Sequence, residues 1–315
     1  MASLALLAAG CAHVPAHSLP QGGPLALRAQ TNGWTPLPDA PLAREGAAGT
    51  AFGLSLWVLG GRDAAGQLLT KGHRLEGFER WEAVPPPGGS RFQASAVTLN
   101  PPRLLLTGGQ AEGRALGTTE WWDVATASWQ RLPDLPTPRW GAGAAGHGVF
   151  AYVVGGSNGR PLDTVERFDA RDRSWRSLAP LALGREAGVA ATLGQRIVVV
   201  GGRTRDGLTG SLEIYDPATG VWKAGPAMPT PRSHAAFAVY GYHLFVLGGL
   251  TAQGPTAAVE SFDLTSGTWT VRASLPEARH GAVAARVGER LVVTGGVVAG
   301  RVSAGGWRMP FPFGR

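Results

Sequence analysis

The chain has 315 residues, 44% of them hydrophobic and 16% charged, with 47 glycines, 24 prolines and a single cysteine. This balance suits a β-rich globular protein, excludes an intramolecular disulfide, and contains no apolar run of the ~18–20 residues that a membrane-spanning helix needs. The net charge is +7, yet no run of five or more basic residues occurs and no nucleic-acid-binding motif is present, so nucleic acid is not expected as a partner.

In chain order, the first feature is MASLALLAAGC, a short apolar run closed by small residues and Cys11. Leu-Ala-Ala-Gly-Cys resembles the lipobox of bacterial lipoproteins, although the basic stretch that opens a signal peptide is missing. That resemblance implies lipid attachment at Cys11, export to the periplasm or a bacterial membrane surface, and no other contact with a membrane. Residues 1–11 are then a signal segment. Residues 12–32, rich in Pro, Gly and Ala, read as a flexible tether.

Beyond the tether, four markers recur in phase. Glycine pairs follow apolar runs at 60–61, 108–109, 155–156, 201–202, 248–249 and 295–296, spaced 46 to 48 residues apart. Trp34, Trp81, Trp129, Trp175, Trp222 and Trp269 keep the same beat, as do Arg44, Arg91, Arg139, Arg185, Arg232 and Arg279. A Glu-x-aromatic-Asp triplet appears as Glu120/Trp122/Asp123, Glu166/Phe168/Asp169, Glu213/Tyr215/Asp216 and Glu260/Phe262/Asp263, and the tryptophan follows each aromatic by seven residues. The gap fits a hairpin turn. The first repeat breaks the pattern, with Arg74 and Leu75 read in place of the aromatic and the Asp, and the last repeat lacks it.

Each unit therefore reads as four short strands, the size of one propeller blade. The combination resembles the kelch repeat and covers nearly the whole chain. It implies an all-β fold: a six-bladed β-propeller of four-stranded antiparallel blades over residues 33–313. Length alone would suggest two domains, but the phased repeat favours one ring. Only one strand's worth of sequence follows the last glycine pair, so the N-terminal strand around Trp34 is expected to complete the last blade and remove the exposed sheet edges.

By strand alternation, the loop before each first strand and the loop after each glycine pair share one face. The arginines recur there, while the residues beside them vary, as a grafted site on a scaffold would. In kelch propellers that bind acidic peptides, arginines at this position contact the ligand. The resemblance thus makes Arg44, Arg91, Arg139, Arg185, Arg232 and Arg279 candidate ligand contacts, with Glu45, Trp140, Glu186, Arg203, His234 and His280 beside them. A guanidinium hydrogen-bonded to loop carbonyls is the competing structural role for the arginines. The in-phase glutamates are read as structural, bonding an adjacent loop.

No catalytic residue can be assigned. Histidines lack metal-ligand spacing, so no metal is expected, and nothing calls for a cofactor. The expectation is a monomeric, exported, non-enzymatic binding or scaffold module for an anionic protein or carbohydrate ligand. The alternative is an enzyme on a small acidic sugar, resembling sialic-acid mutarotases, with Glu45 or Glu186 moving protons.

Overall fold

The computed structural model describes residues 32–311. Cys11, the signal segment 1–11, nearly all of the tether and residues 312–313 lie outside the described residues.

The described chain builds six four-stranded antiparallel sheets. The first comprises Ala48–Phe52, Ser55–Leu59, Gly72–Glu76 and Arg80–Val84, in that order from the innermost strand outward. The next four repeat this order, with innermost strands Ser95–Leu99, Gly143–His147, Val189–Leu193 and Ala236–Tyr240. The sixth has three strands from the C-terminal part, Val283–Val287, Arg290–Thr294 and Gly306–Pro310, and its outer strand is Thr35–Pro36. Thr35 pairs with Arg308 and Pro36 with Trp307, so the N-terminal segment completes the last sheet as expected.

Six apolar clusters hold neighbouring sheets together. Trp57 and Leu59 of the first sheet meet Leu104, Leu106 and Trp122 of the second. Leu56, Val58 and Leu75 meet Val283 and Val292 of the sixth, which joins the last sheet to the first. Burying each of these side chains stabilises the fold by about 1.5–3 kcal/mol.

The sequence markers acquire physical roles. The aromatic and the tryptophan face each other across a hairpin: Trp122 pairs with Trp129, Phe168 with Trp175, Tyr215 with Trp222 and Phe262 with Trp269. Their ring centroids lie 4.9–5.8 Å apart, within the range that favours offset aromatic contact. The aspartate closes the turn: Asp123 Oδ1 accepts a bond from the Ala125 amide at 2.8 Å, and Asp263 does the same for Thr265. Each tryptophan from Trp81 to Trp269 donates its indole N–H to a backbone carbonyl about 43 residues earlier, at 2.9–3.0 Å. The glycine pairs are needed because the neighbouring unit passes close by. A Cβ on Gly60 or Gly108 would lie 2.7 Å from the carbonyl oxygen of the next unit's arginine, and both glycines hold positive φ.

One reading is corrected. In the first sheet Leu75, not Arg74, occupies the aromatic's place opposite Trp81, and Glu76 takes the aspartate's place opposite Arg80. The hairpin is one residue shorter there, so counting back from Trp81 by the usual gap lands one position early. His73 consequently stands where the second to fifth sheets carry glutamate.

Candidate functional site

The six in-phase arginines are inside the protein rather than on its face. Their exposures are 1–3%. Arg139 Nη2 binds Glu166 Oε2 at 2.6 Å, and its Nη1 donates to the carbonyls of Gly155 and Thr164. Arg185 pairs with Glu213 at 2.6 Å and Arg232 with Glu260 at 2.7 Å; Arg91 pairs with Glu120 in the same manner. The glutamates also accept from the loop leading into the same sheet: Gly88 N to Glu120, Thr137 Oγ1 to Glu166, Ala182 N to Glu213 and Thr230 Oγ1 to Glu260. Each pair thus pins an incoming loop to the third strand of its sheet.

The end units differ. Arg44 has no carboxylate and donates instead to His73 Nδ1 at 2.9 Å and to the carbonyls of Gly60 and Lys71. Burial pushes its pKa down to about 10. Burial, then Arg44 and Lys71, lower the His73 pKa, which keeps the ring neutral as the acceptor. Arg279 reaches the half-exposed Glu277 at 3.0 Å, because Trp307 stands in the glutamate's place. Trp307 donates its indole N–H to the same carboxylate.

This corrects the ligand-contact expectation for Arg44, Arg91, Arg139, Arg185, Arg232 and Arg279. Periodicity places a residue at a strand start but does not say which way its side chain turns. The glutamates that recur in the same phase were the available signal for an internal partner.

The loop face is built as expected from the segment before each first strand and the segment after each glycine pair. Backbone bridges join them: Glu45 with Arg62, Phe92 with Gln110, Trp140 with Ser157, Glu186 with Arg203 and Ser233 with Leu250. His280 pairs with Val297 in the sixth unit.

At the centre of this face runs a closed circle of backbone hydrogen bonds. Gln93 N donates to Gly46 O, Gly141 to Gln93, Ala187 to Gly141, His234 to Ala187, Gly281 to His234 and Gly46 to Gly281, at 2.7–3.0 Å. All six residues hold φ between 51° and 62°, a left-handed conformation that four of them, being Gly or Ala, adopt with little side chain to place. The two with long side chains, Gln93 and His234, stand three units apart on this six-membered circle. Their Nε2 atoms meet at 3.1 Å across the opening. His234 Nδ1 is 3.1 Å from Ser233 Oγ. A neutral imidazole that accepts from the Gln93 amide and donates to Ser233 satisfies both contacts.

Beneath this bar the axis is lined mostly by alanine and glycine, with Ser95, Thr50, Thr98, Thr192 and Phe237 among the other lining residues, around cavities of about 150 and 240 Å³ one below the other. No titratable group lines the upper of the two cavities.

Around the opening lie the charged groups. Arg62 Nε binds Glu45 at 2.7 Å, and its guanidinium sits 4.3 Å above the Phe92 ring. The His234 and His280 rings are 6.5 Å apart. Burial first, then His280 and Arg203, lower the His234 pKa to about 4, with Glu45 opposing them. Burial lowers His280 as well. Of the residues expected beside the arginines, Glu45, Arg203, His234 and His280 therefore share one electrostatic environment, while Trp140 and Glu186 hold the equivalent positions of the third and fourth units. Gln93 was missed. Its signal was a long side chain two residues after a constant arginine, where most units have Gly or Ala. No group of three or more His, Cys, Asp or Glu side chains suited to a metal occurs among the described residues.

The Kelch motif family model matches residues 151–182, 185–229 and 231–276. A curated relative, the acyl-CoA-binding domain-containing protein 5 of Arabidopsis thaliana, is 32% identical over 123 residues; the match covers 37% of this chain and only 19% of that protein. The solved structure of YjhT superposes with a TM-score of 0.73 at 18% identity, covering 85% of this chain and 94% of that one; this likeness bears on the fold. Kelch motifs over residues 151–276, six four-stranded antiparallel sheets and a matching solved architecture together support a kelch-repeat β-propeller.

Proposed function

We propose that this chain is a six-bladed, non-enzymatic binding module that docks a protein on the loop face around the axis. The kelch propeller is in general a binding or scaffold fold, and a fold alone implies no reaction. The observation that carries the reading is the Gln93–His234 bar. It leaves a shallow face bearing varied side chains instead of a deep polar pocket in which a substrate could be enclosed. Trp140, Arg62, Arg203 and Glu186 supply that face, and Arg62 and Arg203 would meet anionic groups of the partner. Capture from an envelope fraction by immobilised protein tests this. A partner retained by the wild type and lost by the Trp140→Ala/Arg203→Ala variant is the expected result; equal capture by both sinks it.

The proposed module is monomeric and exported, with Cys11 as the lipid attachment site ahead of a tether over 12–32. Metabolic labelling with a fatty acid should mark the wild type and leave Cys11→Ser unmarked. A glycan ligand or a sugar-acid activity is a second reading, motivated by the titratable groups Glu45, His234 and His280 around the opening. An anomer-equilibration measurement by NMR with sialic acid and uronic acids decides it: unchanged rates remove the enzyme.

A further inference from the structure

Away from the axis, a groove of about 430 Å³ lies on the loop side between the third and fourth sheets. That volume falls within the range of small-ligand clefts. One wall carries Arg160 and Asp163, the other Arg205 and Asp206, and Leu162 and Leu183 contribute the apolar lining. The four charged side chains are exposed. Among the described residues none of the four makes an ion pair or a side-chain hydrogen bond, in contrast to Glu45 and Arg62 at the axis.

Both walls are firmly built. Leu162 N donates to Gly156 O, Arg185 N to Leu162 O and Leu181 N to Asp163 O, at 2.8–2.9 Å. Gly184 packs so closely that a Cβ there would lie 3.2–3.3 Å from the backbone of Pro161–Asp163. On the other wall, Thr204 Oγ1 donates to Gly207 O and accepts from the Asp206 amide, which holds the turn bearing Arg205 and Asp206. Two preorganised walls thus present both signs of charge without neutralising each other.

A ligand of a single charge would meet as much repulsion as attraction in such a groove, since like-charge juxtaposition opposes binding. A segment with an acidic and a basic side chain together would satisfy both, and the aliphatic stems of those side chains suit the leucine lining. We propose that this groove is a second, off-axis recognition site for a short peptide stretch of a partner protein carrying adjacent acidic and basic residues. The proposal rests on the protein-binding reading but uses different residues.

The test is NMR titration of the ¹⁵N-labelled full chain with the capped dipeptide Ac-Glu-Lys-NH2, beside Ac-Glu-Glu-NH2 and Ac-Lys-Lys-NH2. Saturable shifts confined to amides of residues 160–164, 183–184 and 204–206 are expected with the mixed peptide, fading as salt is raised. Arg160→Gln/Asp163→Asn and Arg205→Gln/Asp206→Asn, one variant per wall, should each weaken binding about tenfold. All four side chains are exposed and without a partner among the described residues, and a thermal melt matching the wild type verifies folding. The Trp140→Ala/Arg203→Ala variant, which tests the axial face, should bind the dipeptide as the wild type does. Absent or scattered shifts, equal response to a single-sign peptide, or loss of binding in the axial variant would each overturn the proposal.

Discussion

The second to fifth sheets and the seam between the sixth and the first perform the same task with different chemistry. In the middle sheets a buried arginine meets a buried glutamate, and the glutamate also fastens the incoming loop. At the seam Arg44 meets a neutral histidine and Arg279 a half-exposed glutamate. The outer strand of the sixth sheet is only two residues long. Trp34 is buried, yet its indole N–H has no partner among the described residues, whereas its five in-phase counterparts all donate to carbonyls. A ring closed by joining the two ends of the described chain makes that junction where the repeat lacks its Glu-x-aromatic-Asp triplet. The contrast teaches that the blade motif includes an electrostatic latch, and that the seam carries a substitute for it.

The sharpest break of this contrast is Glu166→Ala. Removing one member of a buried pair leaves an uncompensated guanidinium, so about 3–5 kcal/mol should be lost in denaturant unfolding. Glu277→Ala at the seam also strips a buried guanidinium of its carboxylate, but that carboxylate is half solvated, so a smaller loss of about 1–2 kcal/mol is expected. Equal losses would erase the distinction between latch and substitute.

Trp34→Ala should also be severe, at about 3–5 kcal/mol, since it empties a buried site in the cluster joining the fifth and sixth sheets. Hydrogen exchange should then be fastest at the Leu37 and Ala40 amides, which bond to Gly306 and Ala304. Loss of protection first in the third or fourth sheet would contradict a weak seam.

Acid sharpens the comparison. His234 has a folded-state pKa of about 4, below its unfolded value near 6.5. The unfolded chain therefore binds protons more readily between those values. Stability is complete above pH 6.5 and declines as pH falls toward 4, by about 3 kcal/mol for this group. His73 and His280, both lowered, act in the same direction. Unfolding midpoints measured from pH 7 to 4 should fall in the wild type and fall less in His234→Gln. A flat profile would exclude a neutral, buried imidazole.

The smallest effect is expected from His73→Glu, which gives Arg44 the carboxylate that the middle sheets possess. A gain of about 1 kcal/mol at pH 7 and a weaker acid response should follow. A loss of stability would mean that the first sheet cannot accommodate the middle-sheet latch.

Much of the architecture was written in spacing. Arginine, glycine pair, aromatic-aspartate and tryptophan at one period specify four strands per unit, and the unmatched Trp34 pointed to closure by the N-terminal segment. Local turn chemistry and alternation are carried by neighbouring residues, so they survive in a linear reading. The face shared by the two loop sets was legible for the same reason.

What only the tertiary structure decided was direction and distance. A constant arginine at a strand start can turn outward to a ligand or inward to a glutamate nearly thirty residues later, and its position in the repeat is identical in both cases. Nor could any local pattern announce that Gln93 and His234, 141 residues apart, meet over the axis, because that contact exists only once all six units stand in a circle. The repeat itself determined the sheets, whereas closing them placed side chains inside or outside and thereby settled which residues remain free to meet another molecule.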